Sequence, residues 1–339
     1  MKLLKIHYLY FFIYYLFKHK KNSNYLNRKS SYQILRTLYR LTNGFLTNLI
    51  GYILSSFKLN NPNKFDQGFK NLEKISEEHI NLIASELKKM KVFDQRFINN
   101  FNFPDKDKKV KNYASNFDKL SKKDIIRIDV LKSELLSNKI ITKFVLNEKW
   151  ISVVKEIINV DPVLIDVSSW YTIPHKNDLQ LNKYSAQIWH RDVDKIRDIK
   201  ILLYLTDVTL EGDGPFQIIK NTHKSDFSLI KYDNNNNFRI SEQNLNKKYH
   251  NRKKLFLGKK GTNFIVDTRC LHKGGLVTKG YRHILELYFS NSSFGKHEYF
   301  NEFTRPRLNP NWESYQLWKN AIIKNPINYK SIFLGREPN

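Results

Sequence analysis

From about Ile125 onward, short apolar and β-branched runs are separated by turn residues, a different texture from the first third of the chain. Ile125 to Val130 alternates as a short strand does. Lys132 to Asn159 places Leu135, Leu136, Ile140, Phe144, Val145, Trp150, Val153 and Ile157 at helical spacing. Strands are then predicted over Val163 to Ile173, Ala186 to Asp192, Ile199 to Val208, Phe216 to Lys220, Thr262 to Asp267 and Tyr281 to Ser290. Turns such as Gly212-Asp-Gly-Pro215 and Gly274-Gly275 divide them. Short strands without helices between them predict an antiparallel sandwich or barrel.

Three stretches lie outside that pattern. Residues 1 to about 120 read as a helical accessory region, with an amphipathic helix inside Asp66 to Val92 and further helical spacing over Ser31 to Ile53. Asn102 to Asn112 reads as a loop. The stretch Ser225 to Lys260, with its low-complexity Asn234 to Asn237 run and several Lys, reads as a surface insertion in a domain spanning 121–298. Residues 299–339 form a tail, helical around Trp312 to Ile323.

Composition adds a large positive charge: 58 Lys and Arg against 32 Asp and Glu, a formal +26. The charges are spread along a chain rich in Lys, Asn, Ile, Tyr and Phe and poor in Gly (12) and Pro (9). That spread favours a proteome-wide bias over a nucleic-acid surface, so nucleic acid is not an expected partner. A single cysteine, Cys270, excludes a disulfide-stapled module and points to a reducing cytoplasm. The aromatic run Leu9 to Phe17 is too short to span a bilayer, which takes about 20 apolar residues. It has basic flanks and no small-residue cleavage site. Two readings stay open: a helix packed on the main domain, which is favoured, or an interfacial anchor in weak contact with a membrane surface.

The candidate chemistry starts at Trp189-His190-Arg191-Asp192. On a strand, residues two apart share a face, so His190 and Asp192 converge. Far downstream, His272 follows the strand ending at Asp267. Two histidines and a carboxylate are the donor set of a facial metal site that leaves positions open for a co-substrate and dioxygen. One strand later, Arg282 begins an apolar strand, where its guanidinium needs a buried anion. Its nearest same-face acid, Glu286, is four residues on, roughly 13 Å along a strand and beyond salt-bridge reach. Gln187 and Tyr204 are further candidates for the co-substrate, and Trp170 and Tyr171 for the substrate pocket. Lys200, a charge in an apolar strand, is a co-substrate partner or a snorkelling edge residue. His223 reads as a turn residue before it reads as a fourth ligand.

Taken together, Gln187-Ile-Trp-His190-Arg-Asp192, Leu205-Thr-Asp-Val208, Gly212 to Ile219, Asn221-Thr-His223-Lys224, Asp267 to His272 and Tyr281-Arg282 resemble the phytanoyl-CoA dioxygenase family. This is a family of iron(II)- and 2-oxoglutarate-dependent oxygenases. The resemblance covers about half the chain. It implies a mainly β fold, a double-stranded β-helix (jelly-roll, cupin-like) with a helical amino-terminal extension and flanking helices. It also implies iron on His190, Asp192 and His272, with the distal carboxylate of 2-oxoglutarate on Arg282. The expected reaction is hydroxylation of a small organic substrate by dioxygen, releasing succinate and carbon dioxide. The competing reading is a basic membrane-surface or nucleic-acid-associated protein built on a cupin-like core. The family's Gly-Ser-His turn appears here as Asn221-Thr222-His223.

Overall fold

The computed structural model describes residues 65, 67–94, 114–121, 125–158, 160–175, 186–192, 198–223, 239–240, 242, 245, 249, 251–291 and 307–333. The expectations for Leu9 to Phe17, Ser31 to Ile53, Asn102 to Asn112 and Asn234 to Asn237 lie outside these residues.

The described strands are β1 (Phe69–Asn71), β2 (Val92–Asp94), β3 (Arg127–Val130), β4 (Val163–Thr172), β5 (Trp189–His190) and β6 (Asp198–Tyr204). They continue as β7 (Phe216–Ile219), β8 (Arg239–Ile240), β9 (Lys253–Leu255), β10 (Asn263–Asp267), β11 (His272–Gly274) and β12 (Arg282–Ser290). They form a seven-stranded sheet, β1-β10-β6-β12-β4-β3-β2, and a five-stranded sheet, β8-β5-β11-β7-β9. From β4 to β7 the chain crosses between the two sheets at every step. After β9 it crosses again at each of β10, β11 and β12. That alternation is a double-stranded β-helix, and its eight winding strands are β4, β5, β6, β7, β9, β10, β11 and β12.

Strand alternation decides which side chains enter the barrel. On β12, Ile284 packs with Trp170, Leu202, Tyr204, Phe216 and Phe264 between the sheets. Its neighbours Leu285 and Leu287 face the other way, into a larger core shared with the helices. That outer core is covered by α1 (Glu77–Lys89), α2 (Phe117–Leu120), α3 (Lys132–Ser137), α4 (Lys139–Val145), α5 (Glu148–Ile158), α6 (Tyr315–Lys324) and α7 (Pro326–Tyr329). Helix α1 buries Ile80, Ile83 and Leu87, spaced along one face, and carries Glu77 and Glu78 at its positive end and Lys88 and Lys89 at its negative end. Asn138 accepts from the amides of Ile140 and Ile141 to start α4, and its own amide donates to Glu86 on α1 at 2.7 Å.

Three sequence expectations change here. The described residues before 120 are not only helical: β1 and β2 are the two edges of the seven-stranded sheet, and α1 shares its core. The stretch Ser225 to Lys260 is more than a surface insertion. It supplies β8 and β9, and Ile240, Leu245 and Tyr249 are buried against Trp189. Polar low complexity hid strands of two and three residues, too short for a period to show. The tail also belongs to the fold, because Trp318 is fully buried and its indole donates to the Leu136 carbonyl at 2.9 Å.

Candidate metal and co-substrate site

His190 and His272 face each other across the β5–β11 pairing, in register with one another. Each ring is oriented by the backbone just before it. His190 Nδ1 lies 2.8 Å from the Ile188 carbonyl and His272 Nδ1 lies 2.9 Å from the Cys270 carbonyl. A carbonyl only accepts, so both Nδ1 atoms carry the proton and both Nε2 atoms present a lone pair. Those Nε2 atoms point to one carboxylate: His190 Nε2 lies 3.8 Å from Asp192 Oδ1, and His272 Nε2 lies 3.7 Å from Asp192 Oδ2. Among the described residues, His190, Asp192 and His272 form the group able to hold a metal ion, with ligand atoms all within 4.8 Å of one another.

The expected strand Ala186 to Asp192 is shorter than the pattern suggested. Only Trp189 and His190 pair, and Ala186 has φ 59°, a left-handed conformation that breaks the strand. Asp192 lies just past the strand end, where its amide donates to the Thr268 carbonyl at 3.0 Å. Arg191, between the two ligands, is buried and donates to the carbonyls of Thr222 and Arg269 at 2.6 and 2.9 Å. It ties the ligand segment to the turn before β11.

The outer face of the five-stranded sheet supports both histidines. Glu242 accepts from the Trp189 indole at 2.6 Å, from Lys253 at 2.5 Å and from Lys273 at 2.7 Å. Trp189 adjoins His190 and Lys273 adjoins His272, so one carboxylate fastens the backs of both ligand strands. Burial opposes its ionisation, but the lysine and indole donors outweigh that and bring its pKa down to about 2.

Arg282 begins β12 on the inward face. It donates to the Gly214 carbonyl and, through Nη2, to Thr172 Oγ1 at 3.1 Å. Its Nε is buried without a hydrogen-bond partner. Among the described residues no carboxylate pairs with it. Burial, with Arg127 adding repulsion, lowers its pKa to about 10 although Tyr204 works the other way. Gly274 lies against Nη2, where a Cβ would approach to 3.1 Å. Gly274 is two residues from His272 on β11, about one pleat repeat or roughly 7 Å along the strand, so the guanidinium lies against the strand that carries His272.

The remaining candidates divide. Both polar atoms of the Gln187 amide are buried without hydrogen-bond partners, so a ligand with donors and acceptors would satisfy them. The Tyr204 hydroxyl is already committed: it donates to the Phe256 carbonyl at 2.9 Å and accepts from the Phe216 amide at 2.9 Å. Tyr204 therefore fixes the barrel wall beside Arg282 and does not donate to a co-substrate. Trp170 faces inward and is covered by the Arg127 guanidinium, 4.2 Å from the ring. Tyr171 does not line the barrel. It is on the opposite face of β4, between Phe117 and Tyr281 and stacked on His283 at 3.7 Å. Adjacent residues on one strand cannot both face the pocket. His223 contacts Cys270 Sγ at 3.2 Å and stays outside the metal group.

Two site neighbours escaped the sequence reading in their true roles. Lys200 Nζ is 3.0 Å from Asp192 Oδ2 and 3.5 Å from Glu286 Oε2. Burial would raise the Asp192 pKa, but the Lys200 ammonium, joined by either imidazole while it is protonated, holds its carboxylate well below the usual range. A lysine in an apolar strand was the available signal. Its carboxylate partners come from other strands and left no local mark.

Several solved structures are distantly similar to this chain. The epimerase SnoN, in complex with Fe3+, alpha-ketoglutarate and nogalamycin RO, is 9% identical over 73% of this chain and 87% of its own, with TM-score 0.45. HygX from Streptomyces hygroscopicus, with nickel, 2-oxoglutarate and hygromycin B bound, is 13% identical over 70% and 86%, with TM-score 0.46. The carbocyclase SnoK from nogalamycin biosynthesis is 11% identical over 67% and 81%, with TM-score 0.43. No protein-family model and no curated protein sequence matches the chain. Likeness at this level assigns no function, which has to come from the side chains. No helix among the described residues is long and apolar enough to cross a membrane.

Proposed function

We propose that this protein is an iron(II)- and 2-oxoglutarate-dependent oxygenase that hydroxylates a small organic substrate. The observation that carries the reading is that two features meet along β11, one at His272 and the other against Gly274. One is a His-Asp-His group with converging ligand atoms; the other is a buried guanidinium with no carboxylate partner among the described residues. A buried cation left unpaired costs several kcal/mol. A bound dicarboxylate supplies the missing charge, and its other end falls at the metal group.

In this reading His190, Asp192 and His272 hold the ion, which when bound supplies dioxygen activation coupled to decarboxylation of 2-oxoglutarate to succinate. Arg282 binds the distal carboxylate through its planar fork. Gln187 hydrogen-bonds the co-substrate, and Trp170 lines the substrate side. The barrel core of Phe216, Phe264 and Ile284 keeps water from the reacting atoms. The Ile188 and Cys270 carbonyls engage Nδ1 of both histidines and so leave Nε2 of each ring for a cation.

Anaerobic titration with iron(II) and then 2-oxoglutarate, followed by visible absorbance, tests the reading. A charge-transfer band should grow to one equivalent and succinate should appear when dioxygen is admitted. His190→Ala should show neither. A variant that keeps the band would sink the assignment.

A further inference from the structure

On the inward face of β6, Lys200 alternates with Leu202 and Tyr204. It lies between Tyr288 on β12 and Val266 on β10, in the middle of the seven-stranded sheet. Lys200 Nζ reaches Asp192 Oδ2 at 3.0 Å and Glu286 Oε2 at 3.5 Å, with the Tyr288 ring centre 5.2 Å away. Glu286 also faces inward, is buried, and has Ser168 Oγ at 3.4 Å. An ammonium has therefore been brought into the barrel at considerable desolvation cost, with one carboxylate from the metal group and one from a neighbouring strand.

The two histidines need no such help, because backbone carbonyls fix their rings. Asp192 is different. It lies past the end of β5, and the torsion that turns a carboxylate has a broad twofold preference. A carboxylate can also bind a metal through one oxygen or both. Its orientation must come from a partner, and the partner on this face is Lys200.

We propose that Lys200, anchored by Glu286, is the positioning residue for the metal carboxylate: its ion pair with Oδ2 fixes the direction in which Asp192 faces the two imidazoles. Glu286 holds the ammonium and offsets its repulsion of a divalent cation. The inference rests on the metal reading above and adds to it a residue on a different strand.

Cobalt(II), a spectroscopic stand-in for iron(II), tests it on the full chain without turnover. The wild type should bind one equivalent and His190→Ala should not; a wild type that binds none refutes the metal reading itself. Lys200→Met should weaken cobalt(II) about tenfold and shift the visible d–d band as the Asp192 carboxylate loses its fixed direction. Lys200→Gln, which keeps a neutral donor, should restore most of the affinity and the wild-type band. Glu286→Gln should show a smaller loss that disappears in the Lys200→Met background. Cobalt(II) bound by Lys200→Met as tightly as by the wild type or more so, with an unchanged band, overturns the proposal while the metal reading stands. If Lys200→Met does not fold, the isosteric Glu286→Gln decides: cobalt(II) affinity and band identical to the wild type overturn the anchoring role.

Discussion

A Cβ on Gly274 would lie 3.1 Å from Arg282 Nη2, so the glycine two residues beyond His272 makes room for the guanidinium. The backbone there needs no left-handed conformation, and an alanine is permitted except for that contact. Gly274→Ala should push the fork off its rotamer, at about 1 kcal/mol. The expected result is roughly a fivefold loss of 2-oxoglutarate affinity with cobalt(II) affinity unchanged. Calorimetric titration of the cobalt-loaded protein measures both. Equal losses for metal and 2-oxoglutarate would place the disturbance at His272 instead.

Arg282→Lys keeps a charge and removes the fork. Bonds to charged groups contribute about 1.5–3 kcal/mol, so 2-oxoglutarate should weaken roughly ten- to a hundredfold. Arg282→Ala should lose at least as much, with metal binding retained in both. Normal 2-oxoglutarate affinity in Arg282→Ala would mean that another cation holds the carboxylate. Lys200 is poorly placed for that role, since it pairs with Tyr288, six residues along β12 from Arg282.

Tyr171 and Trp170 are adjacent, and their roles are separated by the sheet. Tyr171→Ala should lower stability by about 3 kcal/mol or more through the outer aromatic cluster with Phe117 and His283. It should leave cobalt(II) and 2-oxoglutarate affinities at wild-type values. Urea unfolding beside ligand titration checks both halves, and a large change in either affinity would return Tyr171 to the pocket.

Glu242 predicts an acid-sensitive step. Its pKa falls from 4.5 to about 2 on folding, so the folded state favours the ionised form. The stability it contributes is fully present above pH 4.5 and is lost as pH falls toward 2. Glu242→Gln should flatten the stability–pH curve over that window. Unfolding midpoints measured at intervals across it provide the check; parallel curves for variant and wild type would exclude the linkage.

The sequence by itself determined the longer strands, such as β4, β6 and β12, because a run of apolar and β-branched residues is written locally. It also determined the metal group. His190 and Asp192 are near neighbours, and His272 and Arg282 follow a recognisable order. It could not determine what comes from non-local pairing. Strands β8 and β9 exist because β5 and β7 offer them edges, and a sequence of two or three residues carries no such record. The choice of Trp170 over Tyr171 for the barrel interior needed the sheet's facing, since a one-residue change of phase reverses every side chain. The Lys200–Asp192–Glu286 cluster joins three separate segments whose charges look unremarkable in isolation. Only the tertiary structure decided these points, because electrostatic pairing and close packing depend on distance in space and not along the chain.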